Sequence, residues 1–315
     1  MLFPSHFLKD GITPSNRIMS TEAYNYKILG IVAKIGSVPS IIGSFIILYR
    51  FYNSDASLKE NLSHRIIFYM SLLDFVCSWN FFIGPWIFND RILCTIQGFL
   101  TQMTVSAPLW NFAHTSNILL RVVVGLSAKN ANRLEPLYHL IAWGIPFIGG
   151  ILGVVRNNFI PVGGWCWFKA SDLDLRFGTF YAWVFFCVVY NVVVAITVLM
   201  FIKKKQNDCG FKLSKRTLKS AKNQLLYVSA LCVSFGPSSI TRIVQSITGK
   251  EVFWLQVIQA LTLPLQGFLN CIIYLKIHHV VLKNPLSGIS SYGSATTKSY
   301  QTLSNNEPDS KDEQI

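Results

Sequence analysis

The chain has 315 residues, 51% of them hydrophobic and only 14% charged, with a net charge of +13. A soluble protein of this length carries about a quarter charged residues, so this composition argues against water-soluble domains and for a lipid setting. The positive charge gathers in one loop and at segment ends, which argues against a nucleic-acid partner.

Residues 1–27 are polar, with Lys9, Asp10, Arg17 and Glu22, and lack the basic–apolar–small pattern of a cleaved signal peptide. They are expected to form an extracellular tail. Seven apolar segments follow, at roughly Ile28–Phe51, Ile66–Phe88, Leu93–Leu126, Leu137–Val155, Phe177–Ile202, Leu218–Ile247 and Phe253–Ile277. About twenty apolar residues rising 1.5 Å each span a hydrocarbon core of ~30 Å. The expected fold is therefore an all-α membrane protein, a seven-transmembrane helix bundle over residues 28–277. Residues 278–315 are expected to be a cytosolic tail, rich in Ser and Thr from Lys283 on and too polar to bury a core. It is either a solvated tail or a substrate for a receptor kinase.

Loop charge sets the orientation. With the N-terminus outside, the inner loops carry Lys59, Arg65, Lys129, Arg133 and the whole basic run between segments five and six. That run holds eight basic residues against one acid, Asp208, and includes Lys215, Arg216 and Lys219. The bias favours N-out, C-in. The run itself is a topology signal attracted to anionic lipid, a docking surface for a cytosolic partner, or both. Asn61-Leu62-Ser63 matches a glycosylation acceptor but falls inside. Among seven cysteines, only Cys94 and Cys166 both lie on the oxidising side, so they pair or remain two free thiols.

Polar residues within apolar segments fall on particular faces. In the third segment Gln97, Thr101, Thr104, Pro108, Asn111 and Thr115 recur at spacings of three and four, one face at ~100° per residue. Gln256, Gln259, Gln266 and Asn270 repeat the theme in the seventh. Such stripes either bond helix to helix, at ~0.6 kcal/mol per bond, or line a cavity. Asp74 lies mid-way along the second segment and requires a partner such as Asn270, a sodium-like ion or a proton. Arg242, with Ser238 and Gln245, forms a polar face in the sixth. It either snorkels to headgroups or turns inward as a planar donor for an anionic ligand. Pro237 and Pro264 remove backbone hydrogen bonds and produce static bends or hinges.

Gly164-Trp165-Cys166-Trp167, followed by Arg176-Phe177-Gly178-Thr179-Phe180-Tyr181, resembles the second outer loop and fifth helix of the slime-mould cyclic AMP receptor family of G-protein-coupled receptors. Trp143-Gly144-Ile145-Pro146, Arg242-Ile243-Val244, Gly267-Phe268 and Tyr274 resemble other parts of that pattern, over the whole seven-helix region. Fungal glucose-sensing and plant seven-helix receptors are related. The resemblance implies a plasma-membrane receptor with a heterotrimeric G-protein partner and an extracellular small-molecule signal. It does not by itself license cyclic AMP. No acid precedes Arg121 in Leu119-Leu120-Arg121-Val122, so an acid–Arg latch is not expected, and Arg121 without it is a candidate for G-protein contact. No Lys lies mid-way along the seventh segment, which excludes a retinal Schiff base.

The expected function is thus a receptor that senses an extracellular polar or anionic small molecule and activates a G protein. Ligand contacts are expected from Arg242, Gln97, Thr101, Gln245, Gln259, Lys169 and Arg176. G-protein contacts are expected from Arg121, Lys215, Arg216 and Lys219, and an activation or ion network from Asp74, Asn270, Pro237 and Pro264. No cofactor or metal is called for. A seven-helix transporter or channel is the alternative. An enzyme is disfavoured, because His114 and His139 share no metal-ligand spacing with another His, Asp or Glu.

Overall fold

The structure is a computed structural model that describes residues 14–207, 222, 225–249 and 252–282. Cys209, Lys215, Arg216, Lys219 and the Ser/Thr-rich tail lie outside the described residues. The chain divides into two compact units, Met1–Ile273 and Tyr274–Ile315, the second contributing the helical residues 274–282.

In chain order the helices are α1 (Pro14–Tyr52), α2 (Ala56–Lys59), α3 (Leu62–Ile83), α4 (Arg91–Met103), α5 (Ser106–Val122), α6 (Ala128–Asn132), α7 (Glu135–Val155), α8 (Leu173–Arg176), α9 (Ala182–Asn207), α10 (Leu226–Thr248), α11 (Phe253–Thr262) and α12 (Gln266–Leu282). A 3₁₀ turn, Gly84–Ile87, follows α3, and a π-helical turn, Phe177–Tyr181, precedes α9. Between α7 and α8 lies one antiparallel hairpin, β1 (Phe159–Val162) and β2 (Trp165–Phe168), with Pro161 opposite Cys166.

Five helical stretches are long and apolar enough to cross a membrane: Tyr24–Tyr52, Leu62–Ile83, Arg91–Val122, Ala128–Val155 and Leu173–Lys204. Phe253–Thr262 and Gln266–Ile277, bent by 43° at their junction, make a sixth if taken as one span. Pro264 lies at that bend and removes a backbone donor there. The 23-residue α10 is long enough, but Ser229, Ser234, Ser238, Ser239, Thr241 and Arg242 dilute its apolar content. Chain order and lengths follow the apolar segments, and α1 begins ahead of Ile28.

Packing follows rules suited to lipid. On α1 the large residues Ile31, Ile35, Val38, Ile42, Phe45 and Tyr49 are exposed, whereas Ala33, Ser37, Ser40 and Ser44 are buried. Small residues bring backbones together where lipid supplies no hydrophobic drive between helices. The central element is α5, whose residues Ser106–Leu109, Trp110, Asn111 and Ala113–Ile118 are all buried. Against it α9 presents Cys187, Asn191, Val194 and Val198, while Phe186, Val189, Val193, Ile196 and Met200 face out. The third apolar segment is interrupted at Thr104–Val105, between α4 and α5. Pro108 accounts for the break, because its ring cannot donate to the Thr104 carbonyl four residues back.

Candidate functional site

The site is built around the hairpin. Cys94, at the start of α4, forms a disulfide with Cys166 of β2, with Cα atoms 5.4 Å apart, so the hairpin is tethered to α4. The two residues of the sharp turn are glycines: Gly163 has φ +70°, and a Cβ on Gly164 would lie 3.1 Å from the Leu29 backbone. The hairpin therefore rests on α1 as well. Trp165, Cys166, Trp167 and Phe168 are all buried, which departs from the alternation of a strand with one wet face. Phe168 stacks on Phe159 at 5.0 Å, and Trp165 meets Phe81 of α3 edge-on at 5.1 Å.

A small, open cleft lies between this turn, α1, α10 and α11. Leu29, Gly164, Trp165, Arg242, Gln256 and Gln259 line it. Arg242 is 8% exposed. Its Nε donates to the Tyr181 hydroxyl at 2.7 Å and its Nη1 to Gln245 Oε1 at 2.5 Å. Its guanidinium also lies 5.9 Å from the centroids of both Trp167 and Tyr181. These partners are neutral, and Arg242 makes no ion pair among the described residues. A buried cation without a counter-charge favours an anion in reach.

The sequence-predicted ligand residues divide into two groups. Arg242 and Gln259 line the cleft, and Gln245 joins through Arg242. Gln97, Thr101 and Arg176 are instead engaged in holding the hairpin and its surroundings. Gln97 accepts from the Cys166 amide at 2.8 Å and donates to the Asn80 carbonyl at 3.0 Å. Thr101 donates to the Gln97 carbonyl at 2.9 Å and accepts from the Asn80 side chain at 3.1 Å. Arg176, 3% exposed, donates through Nε and Nη2 to the Phe168 carbonyl and sits 5.0 Å over the Trp167 ring. The Lys169 amide donates to the Asn158 carbonyl at 3.1 Å, and Lys169 does not line the cleft. The physical reason is hydrogen-bond satisfaction: a closely packed hairpin brings backbone donors and acceptors that require buried partners.

Tyr181, Trp167, Asn80 and Gln102 were not singled out from the sequence as site residues. Gln102 is adjacent to Thr101 and falls off the polar face, so a one-stripe reading hides it. The π turn that presents Tyr181 has no residue signature.

A second small chamber is lined by Asp74, Ser78, Thr104, Phe235, Pro264 and Gln266, among others. Asp74 accepts from Asn270 Nδ2 at 2.7 Å. Ser71, one turn before it, donates to the Ile67 carbonyl. Gly267 permits the approach, since a Cβ there would lie 2.2 Å from Ser44 Oγ and 3.0 Å from Asp74 Cβ. Pro237 lies within α10, and Arg121 sits half-buried in the last turn of α5.

With this geometry in view, the family described as slime mold cyclic AMP receptor matches residues 18–283. The chain belongs to that family. It is 27% identical over 274 residues to cyclic AMP receptor-like protein A of Dictyostelium discoideum, covering 85% of this chain and 69% of that one. It is 26% identical over 226 residues to G-protein coupled receptor 1 of Arabidopsis thaliana, covering 68% of each. An ascaroside receptor of Arthrobotrys oligospora is 24% identical over 192 residues, covering 56% of this chain and 46% of the relative. The protein is thus a multi-pass membrane protein of a receptor family. Its relatives are named as receptors, not as enzymes.

Proposed function

We propose that the protein is a seven-helix G-protein-coupled receptor of the plasma membrane, N-terminus outside, whose cleft beneath the hairpin binds a polar or anionic small molecule. The single observation that carries this reading is Arg242: buried, bonded among the described residues to neutral groups, and lining the cleft. Gln259 and Gln245 supply further polar contacts. With α10 counted as the sixth span and the bent α11–α12 pair as the seventh, the hairpin end is extracellular, where a disulfide persists. Arg121 and the basic residues Lys215, Arg216 and Lys219 then belong to the cytosolic face that meets a heterotrimeric G protein. The Asp74–Asn270 pair, with Pro237 and Pro264, is the network through which the helices rearrange, with a sodium-like ion or a proton on Asp74 as its charge balance. A ligand shifts such an equilibrium only through differential affinity for the two states.

Cyclic AMP is the first ligand to try, because relatives bear its name, followed by other nucleotides and sugars. The test is a dose–response for G-protein activation in cells expressing the full chain. Arg242→Ala is expected to weaken potency by 10-fold or more, on the order of one charge-assisted hydrogen bond, with Arg242→Lys recovering part of it. An unchanged dose–response in Arg242→Ala refutes the assignment.

A further inference from the structure

Two structural features converge on the π-helical turn Phe177–Tyr181. At one end, Tyr181 receives the Arg242 Nε donor from α10 at 2.7 Å. At the other, Gln102 of α4 donates through Nε2 to the Thr179 carbonyl at 2.8 Å. The wide turn explains why a side chain is needed: the Ala182 amide bonds back to the Phe177 carbonyl, five residues earlier. Carbonyls within such a turn lose their regular partners. Here the Gly178 carbonyl accepts from Trp183 Nε1 at 3.1 Å and the Thr179 carbonyl accepts from Gln102. The other end of the Gln102 amide, Oε1, accepts from Trp167 Nε1 of the hairpin at 3.4 Å. Gly149 of α7 makes room, since a Cβ there would lie 2.6 Å from Gln102 Nε2 and 2.8 Å from Thr179 Cβ.

We propose that this π turn is the ligand-responsive joint of the receptor, and that Gln102 is the positioning residue that holds it in its unliganded register. The proposal rests on the reading of Arg242 as the ligand contact. An anion entering the cleft competes with Tyr181 and Gln245 for the Arg242 guanidinium. Once Tyr181 is released, the turn loses its tie to α10, while its Gly178 and Thr179 carbonyls remain capped by Trp183 and Gln102. It can then relax toward regular α-helix, which rotates α9 relative to the hairpin by the one residue a π turn inserts. Small shifts at the cleft thereby reach the far end of α9, because a packed helix has discrete arrangements and no continuum between them.

Gln102→Met keeps the volume and removes both hydrogen bonds. Hydrogen–deuterium exchange on the full-length purified protein, without ligand, then reads two peptides: residues 177–185 and residues 240–247. Exchange is expected to quicken about five- to tenfold in both, the scale set by two intramembrane hydrogen bonds, although Gln102 makes no hydrogen bond to Arg242 in the structure. Quickening confined to 177–185, or no change in either peptide, overturns the joint and leaves Gln102 a local contact. Gly149→Ala, which displaces the Gln102 amide without removing it, is expected to give the same paired change and covers the case in which Gln102→Met fails to fold. Basal G-protein activation is measured in parallel and is expected to rise about five- to tenfold in Gln102→Met. Paired exchange with silent signalling in every variant, wild type included, sinks the G-protein reading and supports the joint. Signalling that depends on Arg242 without paired exchange does the reverse.

Discussion

Replacing Gln97 with Leu separates a structural clasp from a ligand contact. The side chain is 1% exposed and spans the hairpin and α3. Its Oε1 holds the Cys166 amide and its Nε2 the Asn80 carbonyl. In the hairpin register Cys166 faces Pro161, which has no N–H, so this pair sits at a position where strand hydrogen bonds are not exchanged. The Cys166 amide therefore points away from β1, and Gln97 is its acceptor. Losing that acceptor orphans a buried donor, at about 1–3 kcal/mol. The Asn80 carbonyl is less affected, because the Gly84 amide still donates to it, and that lost bond costs ~0.6 kcal/mol. The sum is about 1.6–3.6 kcal/mol, or a fall in melting midpoint of roughly 3–6 °C for a chain of this length. Thermal unfolding of the detergent-purified protein, followed by tryptophan emission, measures it. An unchanged midpoint together with a lost ligand response refutes the clasp and returns Gln97 to the ligand set.

Two further predictions concern the same scaffold. Gly153→Ala places a methyl 2.4 Å from Phe159 Cζ and 2.5 Å from Phe168 Cε1, so overpacking is expected to cost about 1–3 kcal/mol. A midpoint equal to wild type shows that the hairpin rings shift freely. Two ion pairs of the scaffold are expected to behave differently. Arg65 and Glu135 tie α3 to α7 by a bidentate pair at 2.7 Å, with side chains 19% and 20% exposed. Arg156 and Asp174 meet at 2.7 Å with side chains 51% and 67% exposed. Arg65→Ala is therefore expected to lower the midpoint measurably, whereas Arg156→Ala leaves it unchanged, because solvent and salt screen the second pair. Equal effects in one melting series contradict that ranking.

Element order, the apolar stretches that became α1, α3, α7 and α9, and the candidate cysteine pair were legible in the sequence, because they depend on local quantities. Run length, spacing at helical period and the compartment of a thiol need no knowledge of which helix meets which. The polar stripe of the third segment was legible too, and Gln97, Thr101, Thr104, Asn111 and Thr115 are all buried. What each stripe residue does was not. Gln97, Thr101 and Arg176 read as ligand groups, yet the folded hairpin brings Gln97 and Arg176 backbone atoms to satisfy, and Thr101 meets the Asn80 side chain of α3. Gln102, on no stripe, ends up between Trp167 and the π turn. Whether a polar side chain serves a ligand or a buried carbonyl depends on partners more than sixty residues away. Periodicity determines the direction in which a side chain leaves its helix. Tertiary contact alone decides what it finds there.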